Sequence, residues 1–103
     1  MERAFDIANH FDEHAGFECD WSLVPDEEQQ RRFLANYLGE GATDDDITAL
    51  YNEIRPFSSA SNLYWGLWGL LQCIFAGSDL DYAHYATSRI LRSLNAEHWK
   101  LYR

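Results

Sequence analysis

The spacing of four apolar residues in the middle of the chain does most to limit the folds available to it. These residues lie at i, i+3, i+4 and i+7, the positions that share one face of an α-helix. They are Ile47, Leu50, Tyr51 and Ile54. No segment shows sustained alternation of apolar and polar residues, which a half-buried strand would require. We therefore predict an all-α fold without a sheet.

Signals for helix ends divide the chain into about five predicted helices. Helix 1 is predicted from Asp6 to about Ala15 before Gly16, helix 2 from Asp26 to Leu38, helix 3 from Thr43 to a break at Pro56, helix 4 from Ser58 or Ser59 to about Ala76 before Gly77, and helix 5 from a cap at Ser78 to Leu94. Helix 5 is expected to carry a mostly apolar stripe formed by Leu80, Ala83, Ala86 or Thr87, Ile90, Leu91 and Leu94. Residues 17–25 are expected to connect helices 1 and 2. Acidic clusters at residues 26–28 and 44–46 favour the amino ends of helices rather than a substrate site.

Size and charge narrow the class of protein. A chain of 103 residues is expected to form one domain at most, residues 1–103, and its aromatic content of 16% suits part of a larger core. The formal net charge of −9 argues against a nucleic-acid partner, because such binding depends on Lys and Arg that neutralise phosphates. Small cations are attracted instead.

Cysteine content and hydropathy bear on the compartment. Cys19 and Cys73, without a secretory signal at the amino end, favour a reduced, cytoplasmic protein. The longest apolar run, from Leu63 to Leu71 with an extension to Ala76, is interrupted by Gln72. Because this run falls short of the roughly 20 residues that cross a bilayer, we expect no membrane span and interpret the run as a buried helix.

Two tryptophans three residues apart are the first candidate for a binding site. Trp65 and Trp68 lie in the segment SSASNLYWGLWGLL and share a face if this segment is helical. Their electron-rich rings could hold an ammonium group by cation–π attraction. The same spacing also suits a stripe of core residues, and spacing alone favours core packing.

A second candidate is the H-x-x-E-H arrangement formed by His10, Glu13 and His14. In an inverted zinc-protease motif, two histidines one helical turn apart bind zinc and the glutamate acts on water. A catalytic zinc site needs a third protein ligand, and no further residue has suitable spacing. We therefore expect no metal.

Three longer segments together resemble a known family. FDIANHF at residues 5–11, CDWSLVPDEEQQRRFLANYL at 19–38 and SASNLYWGLWGLLQ at 59–72 are similar to the carboxy-terminal third of choline and ethanolamine kinases. The segment HAGFECDWSLVP resembles the ethanolamine branch. The resemblance implies the carboxy-terminal helical part of a protein-kinase-like C-lobe, from an enzyme that phosphorylates ethanolamine in phosphatidylethanolamine synthesis.

The resemblance also implies roles for individual residues. Glu13, Trp65, Trp68 and Tyr85 match the substrate pocket of the family, where a carboxylate and aromatic faces surround an ammonium group. Asp6 matches an aspartate that braces the catalytic loop, and Arg3 matches a basic residue with a supporting role.

The parts that perform phosphoryl transfer are expected elsewhere. That reaction needs a lysine and a loop for the nucleotide, a catalytic aspartate and asparagine, and an acid for Mg²⁺. In the family these lie before FDIANHF, and this sequence contains neither an H-x-D-x-x-x-x-N segment nor a glycine-rich loop. The resemblance therefore implies ATP and Mg²⁺ for the intact enzyme, a missing amino-terminal kinase region as partner, and an inactive isolated chain.

Two alternatives stay open at this point. The chain could derive from a choline kinase, or it could be a free-standing helical binding or regulatory protein that has this lobe and no catalysis.

Overall fold

Four α-helices form the structure, a computed structural model that describes residues 2–75, 81–95 and 98. They are α1 (Arg3–Asp12), α2 (Glu27–Leu38), α3 (Asp44–Phe75) and α4 (Tyr82–Ser93), with short 3₁₀ turns at Glu13–Ala15 and Trp21–Leu23. The described residues include no strand. The all-α prediction is confirmed, with four helices in place of about five.

The predicted helix starts rest on side chains that bind backbone amides. Asp26 accepts a hydrogen bond from the Gln29 backbone N–H at 2.8 Å, and the Gln29 side chain accepts one from the Asp26 N–H at 2.9 Å. Thr43 and Asp46 form the same reciprocal pair at the start of α3, at 2.9 and 3.1 Å. These capping boxes satisfy amides that have no partner within the helix. The interpretation of the acidic clusters as helix starts is confirmed at both positions.

The predicted break at Pro56 is wrong. Predicted helices 3 and 4 are one helix, α3, of 32 residues. A proline inside a helix removes one backbone hydrogen bond and crowds the preceding turn. Buried side chains lie on both sides of it, among them Ile54 and Arg55 before and Ser59 and Asn62 after. Their packing offsets the lost bond, so the helix continues.

The main core lies between α1 and the first half of α3. Its members are Ala4, Ile7, Ala8, Phe11, Leu34, Leu50, Tyr51 and Ile54. Three of the four residues that predicted the amphipathic helix are therefore fully buried, and Ile47 is partly buried against them. Helix α1 begins three residues earlier than predicted, and Gly16 adopts a φ of +69° after the 3₁₀ turn. This φ is the left-handed conformation expected of that glycine.

The second half of α3 packs against α4 through glycines. A Cβ atom on Gly66 would lie 2.7 Å from Ile90 Cγ1, so the two helices approach too closely for a larger residue. The opposite face is exposed, contrary to the buried helix expected for the apolar run. Its exposed residues are Leu63, Tyr64, Leu67, Leu70, Leu71, Ile74 and Phe75. Helix α1 reaches this segment only near its start, where Phe5 lies against Tyr64 and Asn9 hydrogen-bonds to Trp65, so most of the opposite face meets no described helix. Within the described residues, no helix is both long enough and apolar enough to span a bilayer.

Helix α4 buries only part of the predicted stripe. Asp81 caps it by accepting a hydrogen bond from the His84 backbone N–H at 2.9 Å. The predicted cap Ser78, together with Ala76, Gly77 and Leu80, lies outside the described residues. The buried residues are Tyr85, Ala86, Arg89 and Ser93, whereas Leu91 and Leu94 are exposed. The apolar stripe predicted the burial of Ala86 but was otherwise a poor guide, because the buried face of α4 also carries two polar residues.

Candidate functional site

The four residues predicted for the substrate site line one pocket. Glu13 comes from the turn after α1, Trp65 and Trp68 from the second half of α3, and Tyr85 from α4. The pocket has a volume of about 330 Å³, and its remaining walls are Gly16, Phe17 and Arg89. The fold therefore joins residues that are up to 72 positions apart in sequence.

The aromatic rings stand at steep angles to one another. Trp65 and Trp68 meet edge to face, with ring centroids 5.7 Å apart and planes at 76°. Trp68 meets Tyr85 in the same manner, at 6.1 Å and 83°. Such edge-to-face pairs are the favoured arrangement of aromatic rings. Because Trp68 is 37% exposed and Trp65 is half-buried, the indoles wall an open pocket rather than fill the core.

Asn9 hydrogen-bonds to both the Glu13 carboxylate and the Trp65 indole. Its side-chain amide donates a hydrogen bond to Glu13 Oε1 at 2.8 Å. Its carbonyl oxygen Oδ1 accepts from Trp65 Nε1 at 2.8 Å and from Ser61 Oγ at 2.9 Å. One residue therefore sets the relative positions of two pocket walls. Sequence reasoning missed it, although Asn9 and Glu13 are four residues apart and so lie near each other on a helix.

Phe17 is a second wall that sequence reasoning missed. Its ring lies parallel to that of Tyr85, with centroids 5.1 Å apart and an interplanar angle of 8°. The left-handed conformation of Gly16 turns the chain so that Phe17 reaches α4. Burial raises the pKa of the Tyr85 phenol, so this side chain is neutral near pH 7.

Arg3 and Asp6 lie at the other end of α1. Arg3 forms an exposed ion pair with Glu53, with an N–O distance of 3.4 Å. Asp6 is exposed in the first turn of the helix, seven residues and about 10 Å of helix before Glu13. The structure does not bring either residue to the aromatic pocket. Their support of a catalytic loop stays a prediction.

The two histidines of the H-x-x-E-H segment do not converge with Glu13. Their rings stand edge to face with centroids 5.3 Å apart, and His14 Nδ1 lies 3.1 Å from the His10 carbonyl oxygen. Glu13 instead accepts a hydrogen bond from Asn9 and lines the aromatic pocket. Across residues 2–75, 81–95 and 98, no group of three or more His, Cys, Asp or Glu side chains is placed to hold a metal ion.

The sequence of this chain is similar to those of known proteins. The family model for choline/ethanolamine kinase matches residues 1–93. A probable ethanolamine kinase A of Dictyostelium discoideum is 40% identical over 94 residues, which cover 87% of this chain and 27% of that protein. A probable choline kinase 3 of Arabidopsis thaliana is 41% identical over 96 residues, which cover 84% of this chain and 28% of that protein.

A solved structure is similar as well. An ethanolamine kinase of Plasmodium vivax superposes with a TM-score of 0.83 at 45% identity, over 96% of this chain and 27% of that one. The chain spans about a quarter of the length of the curated relatives that it matches. On the family model and these relatives, the chain belongs to the choline/ethanolamine kinase family.

Proposed function

We propose that this chain forms the amino-alcohol-binding part of a kinase that transfers the γ-phosphoryl group of ATP to ethanolamine. The observation that carries the proposal is the pocket in which Glu13 lies among the rings of Trp65, Trp68 and Tyr85. A carboxylate beside several aromatic faces is an arrangement that binds an ammonium group.

The free oxygen of Glu13 favours a primary ammonium group. Asn9 binds Oε1, and Oε2 has no hydrogen-bond partner among the described residues. An –NH₃⁺ group can donate a hydrogen bond to that oxygen, and charge-assisted bonds of this kind are roughly twice as strong as neutral ones. A trimethylammonium group has no N–H to donate. The contact with Glu13 therefore supports ethanolamine over choline as the substrate.

The residues that the structure describes do not form a site for ATP and Mg²⁺. The described residues offer no acidic cluster for a metal, and the sequence lacks the catalytic H-x-D-x-x-x-x-N segment. We assign both to the region that precedes the matching segment in longer kinases. The 103 residues alone are accordingly expected to transfer no phosphoryl group.

A chimera tests the proposal. These 103 residues replace the matching quarter of the Plasmodium vivax ethanolamine kinase, and phosphorylation of ethanolamine and of choline is measured with ATP. We expect transfer to ethanolamine with a lower KM than for choline. Glu13→Gln should raise the KM for ethanolamine, by about 10-fold or more for the loss of a charged hydrogen bond, and leave the KM for ATP nearly constant.

Glu40→Gln is the matched control, because Glu40 is an exposed glutamate outside the aromatic pocket. It should leave both KM values nearly constant. A folded chimera without transfer, or a Glu13→Gln variant with the parent KM for ethanolamine, would contradict the proposed function.

A further inference from the structure

A chain of buried polar side chains runs beside the aromatic pocket and joins three helices. Asp12 of α1, Asn62 of α3 and Arg89 of α4 have exposed fractions of only 2%, 0% and 3%. Asn62 Nδ2 donates to Asp12 Oδ2 at 3.3 Å, and Arg89 Nη1 donates to Asn62 Oδ1 at 2.8 Å. Ser58 Oγ also hydrogen-bonds to the Asp12 carboxylate, at 2.8 Å from Oδ2.

Arg89 places a positive charge in the wall of the pocket. Its guanidinium carbon lies 5.3 Å from the ring centroid of Tyr85, and the residue lines the pocket together with Glu13. A fixed guanidinium in the pocket that Glu13 lines opposes the attraction between that carboxylate and an ammonium group. A negative charge that offsets Arg89 would strengthen the binding of a cation by Glu13.

Asp12 is the buried carboxylate in a position to do so. It reaches Arg89 through Asn62, and with Asp12 ionised the charges of Asp12, Glu13 and Arg89 leave one net negative charge. Burial raises the pKa of Asp12 to about 6, while the hydrogen bond from Ser58 and the charges of Arg89 and Arg92 lower it. Asp12 is therefore ionised at pH 7.5 to 8.

Other charged groups share a second cavity with Asp12. A cavity of about 290 Å³ is lined by Asp12 together with Arg55 of α3, Arg92 of α4, Asp26 and His98. Arg55 donates a hydrogen bond to the Tyr51 hydroxyl at 2.7 Å, and the Arg92 guanidinium lies 4.9 Å from the Trp21 ring centroid. None of these groups lines the aromatic pocket, so Arg89 is the cation that bears on it.

We propose that Asp12 neutralises Arg89 and thereby leaves the charge of Glu13 available to the ammonium group of the substrate. Asp12 is a positioning residue, because its burial keeps it from touching the substrate. The inference rests on the proposed function, since it concerns the same pocket.

The test uses the Plasmodium vivax chimera at pH 8. Asp12→Asn keeps the size of the side chain and removes its charge. The KM for ethanolamine should rise roughly tenfold, which is the factor that one unit charge produces at about 10 Å with an effective dielectric constant of about 20. The KM for ATP should stay nearly constant. Glu28→Gln, which removes one negative charge at an exposed position of α2, is the matched control and should change neither value.

A second pair of variants separates charge balance from simple damage to packing. Arg89→Gln should lower the KM for ethanolamine, because it removes the opposing cation. Adding Arg89→Gln to Asp12→Asn restores one net negative charge and should lower the KM toward that of the parent. A merely structural role predicts the reverse, because each substitution in a buried polar network would add to the damage.

The outcomes distinguish the two proposals. If the parent chimera responds to Glu13→Gln, and Asp12→Asn leaves the KM for ethanolamine unchanged in a folded protein, the role of Asp12 is overturned and the pocket assignment survives. A double variant with a higher KM than Asp12→Asn alone also overturns it. If Glu13→Gln has no effect, the proposed function itself fails.

Discussion

Truncating Trp68 tests the aromatic pocket with the least disturbance of the core. The indole is 37% exposed, and it touches the rings of Trp65, Tyr82 and Tyr85 only edge to face. A cation–π contact contributes about 1 to 2 kcal/mol when the cation is partly desolvated. Trp68→Ala should therefore raise the KM for ethanolamine roughly 5- to 30-fold. The KM for ATP should stay nearly constant, because no part of this pocket is assigned to the nucleotide.

Stability should fall together with substrate affinity. Each aromatic pair contributes about 0.5 to 1.5 kcal/mol, so the loss of three edge contacts lowers the free energy of unfolding by roughly 2 to 4 kcal/mol. Trp65→Ala should cost more, because Trp65 is half-buried and also donates a hydrogen bond to Asn9 at 2.8 Å. For the same loss of unfolding free energy, Trp68→Ala should therefore raise the KM for ethanolamine more than Trp65→Ala does.

The assay is steady-state kinetics for ethanolamine and for ATP in the chimera, with thermal unfolding measured on the same preparations. Tyr37→Ala is the matched control, since Tyr37 is a 49% exposed aromatic residue of α2 outside the pocket. If Trp68→Ala lowers the melting temperature while the folded enzyme keeps its KM for ethanolamine, the tryptophans are packing residues and the reasoning is refuted.

Two further predictions concern stability. Gly66→Ala should lower the free energy of unfolding by about 1 to 3 kcal/mol, because the new Cβ would meet Ile90 Cγ1 at 2.7 Å and the α4 backbone at 3.2 Å; an unchanged melting temperature would contradict this close packing. The pKa of Asp12 is raised from 3.8 to about 6, so its stabilising contribution is complete below pH 3.8 and is lost as the pH rises through about 6. The unfolding free energy of the parent relative to Asp12→Asn should therefore fall by about 2 kcal/mol between pH 4 and pH 7, and chemical unfolding at each pH that showed no such fall would contradict the burial of the charge.

Local patterns in the sequence predicted a helix well where a side chain caps its amino end or where the helix buries one apolar face. Thr43, where helix 3 was predicted to begin, forms a capping pair with Asp46, and Ile54 is buried as its spacing required. Pro56 failed as a signal because packing by neighbouring residues outweighs one lost hydrogen bond. The burial of Arg89 could not be read from an apolar stripe, since its partners Asn62 and Asp12 come from other helices.

Some residues of the pocket could be predicted from the sequence and others could not. Glu13, Trp65, Trp68 and Tyr85 were predicted from the resemblance, and the structure places them around one pocket. Asn9 was within reach of sequence reasoning, because it lies one helical turn before Glu13. Phe17 and Arg89 were not, because their positions depend on the turn after Gly16 and on how α4 docks against α3.

The central claim is that the ammonium group of the substrate binds among Glu13 and the three aromatic rings. The most direct measurement is a crystal structure of the chimera with ethanolamine bound. The account predicts the amine nitrogen within about 3 Å of a Glu13 carboxylate oxygen and within about 6 Å of the ring centroids of Trp65, Trp68 and Tyr85. Ethanolamine bound elsewhere, with solvent alone in this pocket, would contradict it.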